Sequence, residues 1–394
     1  MTTTTIRGRI VTPTGPIDGR IVLEDGRISR IDGSVALEGD GAGVEGKLYD
    51  FGRSLVVPGF IDVHMHGLGE HGVTKVDGLV GIARMQAQFG TTGFLPGIAS
   101  LTVEQCLQFG RNLLEAQKAA GPDSARIIGA HYEGPFINPV ARAGMDEAYL
   151  RPVDLDECQL YIDQMGDALK LMTISPELPG SEDLIRLLRR NNTVVSIGHS
   201  RATKEQLDRA IAAGLTQVCH LYNAFERAPG RENWPWAPGL LDHILASDRL
   251  DCEVICDMRH VPPEFVKLAI KSTGPNRFLA ITDSMRGAGL PPAKYVMMDG
   301  REFSTENGIA RLTSDGTIVG SIITLSRAFG NLVEQCDVNL ADAARFTATN
   351  PARAIGVGDR TGSIEPGKQA DLAVLDDQYN CIATFIDGRP VHGI

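Results

Sequence analysis

Six side chains able to bind a metal or move a proton stand at the ends of apolar, strand-like runs. They are His64 and His66 in DVHMH, Glu133 in HYEGP, His199 in GHS, His220 in CHLYN and Asp283 in ITDS. In a strand, residues i and i+2 share a face, so His64 and His66 are expected to point the same way, with Met65 opposite. Imidazole and carboxylate donors suit zinc or another divalent transition metal. An HxH pair alone is moderate evidence, but such residues at the ends of five separate runs make a metal centre the expectation. Asp283 stands apart in role. A divalent metal acidifies a water toward a pKa of about 7, and a carboxylate beside it can take the proton and deliver it to a leaving amine. The chemistry expected is therefore metal-dependent hydrolysis. His131 shares a face with Glu133 and is read as packing or as support behind the ligands. His71, His243 and His392 are read as surface or structural.

A second cluster suits an anion. His220, Asn223 and Ala224 are followed by Arg231 in GRE, and His260 lies in DMRH. A phosphate is held by a guanidinium, an imidazole and backbone N–H groups.

The elements that must position these residues have a regular rhythm. Eight apolar runs recur: LVVPGFIDVHMH, TTGFLPGI, RIIGAHYEGPF, LKLMTISPE, TVVSIGHS, TQVCHLYN, CEVICDMRH and RFLAITDS. Amphipathic stretches such as TVEQCLQFGRNLLEAQKAAG, SEDLIRLLRRNN, TKEQLDRAIAAG and PPEFVKLAIKSTG lie between several of them. Strand–helix alternation implies a parallel sheet, and eight units imply a closed (β/α)8 barrel with its chemistry at the strand C-termini. After the eighth run the chain is expected to turn helical (ITLSRAFGNLVEQC, NLADAARFTATNPARAIG). Both chain ends read as short strands with tight turns, Asp25-Gly26 marking a hairpin. The fold expected is α/β: a TIM-like barrel over 57–356, with a small β-sandwich domain built from 1–56 and 357–394. GAGVEG at 41–46 follows no clean strand and opens no helix, so it is read as a glycine-rich surface loop.

Composition sets the outer bounds. The chain has 394 residues and a formal net charge of −11, which argues against a nucleic-acid partner. A few local cations still allow an anionic small substrate. No run approaches the roughly 18 apolar residues of a membrane span, and MTTTTIRGRI lacks the apolar core of a signal peptide. The seven cysteines are scattered, without a CxxC pair. Cys252 and Cys256 read as core thiols, and a reducing cytoplasm is expected.

At these residues the chain resembles a known family. PGFIDVHMHG, HYEGPFINP, GHS, HLYNAF, ITDS, GSIITL, TNPARAIG and GSIEPGKQADLAVLD are similar to N-acetylglucosamine-6-phosphate deacetylases of the amidohydrolase superfamily. The resemblance spans essentially the whole chain. EGPF and HLYNA are specific to this group; PGFIDVHMHG and PGKQADLAVLD mark only the superfamily. It implies a barrel enzyme, commonly a homodimer, that removes acetate from N-acetylglucosamine 6-phosphate. Glu133, His199 and His220 would hold the principal metal. Zinc is the first choice, with iron or another transition metal as alternatives, at one or two ions per chain. His64 and His66 match members with a second metal, and Asp283 would be the acid/base. Asn223, Ala224 and His260 would lie along the sugar phosphate, with Arg231 reaching it, commonly from the neighbouring subunit.

Two departures fall near the substrate. The family carries a histidine after the EGPF segment where this chain has Met145 in AGMDEAY. The short loop after HLYNA is here FERAPGRENWPWAPG, with Trp234 and Trp236. Either the chain is a poor N-acetylglucosamine-6-phosphate deacetylase, or a second metal on His64 and His66 takes over the role of the missing histidine, or the substrate is another N-acyl amino sugar or related amide.

Overall fold

The computed structural model describes residues 3–33, 46–225 and 238–393. Arg231, both tryptophans and nearly all of the GAGVEG stretch lie outside these residues.

Each of the eight apolar runs contains one parallel barrel strand. In chain order these are Phe60–Met65, Thr91–Ile98, Ala130–Glu133, Leu169–Ile174, Val194–Ile197, Gln217–Val218, Asp251–Ile255 and Phe278–Ile281. They are buried along nearly their whole length, which is why they read as continuous apolar runs rather than as alternating ones. Val103–Ala119, Ser181–Arg190, Lys204–Ala213 and Pro263–Thr273 are the expected helices. Thr102 with Gln105, and Thr203 with Gln206, start two of them through reciprocal capping bonds, each satisfying backbone N–H groups the first turn leaves open.

The eighth strand meets the first just beyond their ends. The Asp283 N–H donates to the His64 carbonyl at 2.9 Å and the His66 N–H to the Ser284 carbonyl at 2.7 Å. The seam that closes the barrel therefore runs through three of the candidate site residues. Inside the barrel the lower layer is apolar: Ile61, Val63, Leu95, Leu171, Ile255, Leu279 and Ile281 pack with Ala352, Ile355 and Val357. The outward side chains join the main core beneath the helices.

The segment after the eighth strand differs from the expectation. Before the helix Leu325–Cys336 comes a four-stranded antiparallel sheet, Lys294–Val296, Glu302–Glu306, Ile309–Leu312 and Ile318–Ser321. Its strands are short and half-exposed, with Tyr295, Phe303, Ala310 and Leu312 in a small core of their own. That is too little apolar periodicity to read from the sequence.

The chain ends build one β unit, a seven-stranded mixed sheet. Its order is Arg389–His392, Cys381–Ile386, Leu372–Leu375, Lys47–Pro58, Thr3–Thr12, Gly15–Glu24, Arg27–Gly33. The first strands are longer than the sequence suggests, at 10 residues each. Asp25 and Gly26 make the expected hairpin turn, both with positive φ, 49° and 80°, as the tight two-residue turn requires. Lys47–Pro58 leads through Gly59, whose N–H donates to the Asp371 carbonyl, straight into the first barrel strand. No helix among the described residues is long and apolar enough to cross a membrane.

Candidate active site

His64, His66, Glu133, His199, His220 and Asp283 converge at the C-terminal mouth of the barrel. Their placement depends on local backbone. Between Asp62 and Met65 the register against the second strand shifts, so the first strand carries an extra residue. Such a bulge re-aims side chains. Val63 joins the interior apolar layer, yet the next residue, His64, also faces the site, while Met65 packs outward. At the other strand ends, His199, His220 and Asp283 have φ of 49°, 23° and 47°. This left-handed backbone costs a non-glycine residue roughly 1–2 kcal/mol, and it ends the strand with the side chain turned over the mouth.

Two donor sets share one carboxylate. Glu133 Oε1 lies 3.0 Å from His199 Nε2 and 2.9 Å from His220 Nε2, and the two nitrogens are 3.1 Å apart. Glu133 Oε2 lies 3.2 Å from His66 Nε2 and 3.8 Å from His64 Nε2. Asp283 Oδ1 stands 3.4 Å from His66 Nε2 and 3.7 Å from His64 Nε2. All six side chains are nearly or fully buried except Asp283, which is 13% exposed.

The outer ring nitrogens show what these inner ones are for. His66 Nδ1–H donates to the Gly97 carbonyl at 2.9 Å and His199 Nδ1–H to the Ala141 carbonyl at 3.0 Å. A carbonyl accepts only, so Nδ1 of each ring carries a proton and Nε2 is the atom turned toward the site. His64 Nδ1 meets Glu253 Oε2 at 2.8 Å, to the same effect. An acceptor behind a ligand imidazole is the usual support of a metal site. Once the Nε2 atoms give up their protons, these imidazoles and the Glu133 carboxylate are the donor set of a divalent transition metal. The Cys219 thiol, 3.7 Å from both Glu133 Oε1 and His64 Nδ1, lies just beneath.

Without a metal, protons and carboxylates hold the cluster together. Burial pushes the Glu133 carboxyl up, but hydrogen bonds from His199, His220, His64 and His66 outweigh it and hold the group well below the carboxylate range. Burial likewise opposes ionisation of Asp283, and the His66 hydrogen bond and nearby imidazoles overcome it, lowering its pKa. Burial would strip the His66 proton, yet the Asp283 and Glu133 carboxylates raise the ring to about 9. The carboxylates are thus ionised and paired with protonated imidazoles, and a divalent cation bound here would take the place of those protons.

Above the donors lies a cavity of ≈ 250 Å³. Asn223, Ala224 and His260 line it; Arg231 lies outside the described residues. Met145 lines it too, and its sulfur accepts the Ser100 hydroxyl at 3.5 Å. His131 lies deeper, its Nε2 2.8 Å from Thr173 Oγ1, a supporting position.

Several contributors are missed by sequence reasoning. Glu253 supports His64 and also accepts from Gln217 Nε2 at 2.5 Å; an acid inside the apolar run CEVIC is the signal that could have found it. The inserted sheet supplies Met297, Met298, Asp299, Arg301, Ile318 and Val319 to the cavity wall. Arg301 donates to the Gly144 carbonyl at 2.7 Å, joining the insert to the loop that carries Met145.

The Amidohydrolase family model matches residues 294–391. The chain is 31% identical over 381 residues to N-acetylglucosamine-6-phosphate deacetylase of Bacillus subtilis (strain 168), covering 94% of this chain and 92% of the relative. It is 30% identical over 339 residues to N-acetylgalactosamine-6-phosphate deacetylase of Escherichia coli O157:H7, covering 85% of this chain and 87% of the relative. Among solved structures, a variant N-acetyl-D-glucosamine-6-phosphate deacetylase of Mycobacterium smegmatis, in complex with N-acetyl-D-glucosamine-6-phosphate, superposes with a TM-score of 0.89. Identity is 26%, and all of both chains is covered. The Thermotoga maritima N-acetylglucosamine-6-phosphate deacetylase superposes with a TM-score of 0.84, at 27% identity over 98% of each chain.

Proposed function

Because this chain belongs to the N-acetylglucosamine-6-phosphate deacetylase family of the amidohydrolase superfamily, we propose that it hydrolyses N-acetylglucosamine 6-phosphate to glucosamine 6-phosphate and acetate. The observation that carries the reading is the convergence of Glu133, His199 and His220 on one point, with Asp283 beside it. These three residues are the proposed metal ligands, zinc the first choice. A divalent metal there supplies a Lewis acid for the amide carbonyl and acidifies the attacking water. Asp283 accepts the proton of that water as its oxygen bonds to the carbonyl carbon. It then returns the proton to the nitrogen as the C–N bond breaks, releasing acetate and the amine. Burial of the mouth keeps bulk water from the reacting carbonyl and strengthens each charge interaction. Asn223, Ala224, His260 and Arg231 are the proposed phosphate-side contacts.

On this reading the 6-phosphate is a handle. Charge-assisted hydrogen bonds each contribute about 1.5–3 kcal/mol. kcat/KM for the phosphorylated sugar is therefore expected to exceed that for N-acetylglucosamine by roughly 100-fold. Steady-state acetate release from a panel of N-acetyl hexosamines, each with and without the 6-phosphate, tests it. Equal rates on both forms would remove the phosphate from the reading. The galactosamine epimer belongs in the panel, because relatives acting on each sugar are about equally similar.

A second reading, another N-acyl amino sugar, is favoured by Met145. A histidine there could donate to the carbonyl oxygen as charge develops; a thioether cannot donate. Losing one such donor typically costs about 10²–10³ in kcat. If His64 and His66, as holders of a second cation, make good that loss, His66→Ala should be at least about 10-fold less damaging in a Met145→His background. Equal damage in both backgrounds would show no compensation and point to a changed acyl or sugar group. The comparison is of kcat in the four corners of the cycle.

A further inference from the structure

Six basic side chains among the described residues line the cavity, His66, His199, His220, Arg259, His260 and Arg301, and they differ in what already engages them. Among the described residues that line it, His66, His199 and His220 face the reacting centre. Arg301 is committed: Nε and Nη2 lie 2.8 and 2.5 Å from Asp299 Oδ2, and Nη2 also donates to the Gly144 carbonyl. His260 and Arg259 remain. The His260 side chain is only 5% exposed. Its Nδ1 meets Asp257 Oδ2 at 2.6 Å, and its buried Nε2 has no hydrogen-bond partner. An imidazole backed by a carboxylate, with its other nitrogen unpartnered at a cavity wall, is built to meet a ligand.

Arg259 stands next to it. Asp257 Oδ1 accepts both the Arg259 N–H at 2.8 Å and the His260 N–H at 2.9 Å. One carboxylate thus fixes the backbone of both residues. The Arg259 side chain is exposed and makes no ion pair or hydrogen bond with the described residues. It lies across Gly308 at the hairpin turn of the inserted sheet: a Cβ on Gly308 would stand 3.7 Å from Arg259 Cγ and 4.0 Å from Nε. Its stem is therefore supported while its charge is uncommitted. We propose that Arg259 is a guanidinium that grips the phosphate of the substrate from within the same chain, paired with His260. The inference rests on the 6-phosphate reading above and adds to it the residue that sets the preference. The planar fork of a guanidinium matches a phosphate with two parallel hydrogen bonds.

The test uses the full-length, metal-loaded protein and the variants Arg259→Gln and Arg259→Lys. Two readouts are taken: KM and kcat on N-acetylglucosamine 6-phosphate, and the dissociation constant of inorganic phosphate by calorimetry. For Arg259→Gln, KM should rise roughly 10-fold or more while kcat falls less than about 3-fold. Phosphate binding should weaken by a similar factor, and Arg259→Lys should recover part of both. A kcat loss with unchanged KM would mean a structural role and overturn the proposal. So would phosphate binding that Arg259→Gln leaves unaltered. The calorimetric arm does not depend on turnover. If the wild-type protein hydrolyses phosphorylated and neutral sugars alike, the substrate reading fails, while phosphate binding still decides for or against Arg259.

Discussion

Replacing Asp283 with asparagine should lower kcat at least about 100-fold and leave the metal content of the protein unchanged. Asparagine has the shape of aspartate but cannot take the proton of the attacking water, and general acid–base groups typically contribute 10²–10⁴-fold. The backbone of residue 283 is tied on both sides, its N–H to the His64 carbonyl and its carbonyl to the Ser321 N–H. The barrel seam therefore survives the substitution. The proposed ligands Glu133, His199 and His220 are untouched, so metal retention should follow. The paired measurement is kcat with metal per chain by elemental analysis. Near-normal turnover in a fully loaded variant would take Asp283 out of the mechanism.

Stripping the metal should abolish hydrolysis, and adding back a divalent transition metal should restore it. Three inward-facing donors leave a position open for water, the arrangement of catalytic rather than structural zinc. His199 Nε2 and His220 Nε2 lie 3.1 Å apart beside the Glu133 carboxylate, so once deprotonated they bring three donors to one cation without rearrangement. His199→Ala should lose both activity and metal, whereas a dialysed wild-type protein should regain both. Metal counting is expected to give between one and two ions per chain, the second assigned to His64, His66 and Glu133. Full turnover by rigorously metal-free protein would end the reading.

Much of this arrangement is legible in the sequence because chemistry-bearing residues interrupt apolar runs. A histidine or acid closing a buried strand is conspicuous, and eight such runs separated by amphipathic stretches leave few architectures open. Three things are not legible, each for a physical reason. The bulge before His64 exchanges one register for another without changing composition, so alternation alone predicts Val63 and His64 on opposite faces. The inserted sheet is held by only a few buried side chains and by backbone pairing, which leave almost no pattern. Glu253 and Arg259 act through long-range neighbours, His64 and the inserted hairpin, whose proximity is a product of the closed barrel. Arg231, chosen from the loop after HLYNA, lies outside the described residues and stays a proposal.

The seven-stranded sheet also bears on how the enzyme comes into being on a ribosome. Lys47–Pro58 pairs on one edge with Thr3–Thr12 and on the other with Leu372–Leu375. Translation delivers the first of these partners long before the second. Until the second is made, the strand that feeds His64 and His66 into the barrel keeps one edge open, a ready template for pairing with another nascent chain. Loss of the final strands to a premature stop codon or a tail-clipping protease would leave that edge open for good, on the strand that leads directly into the metal-binding mouth.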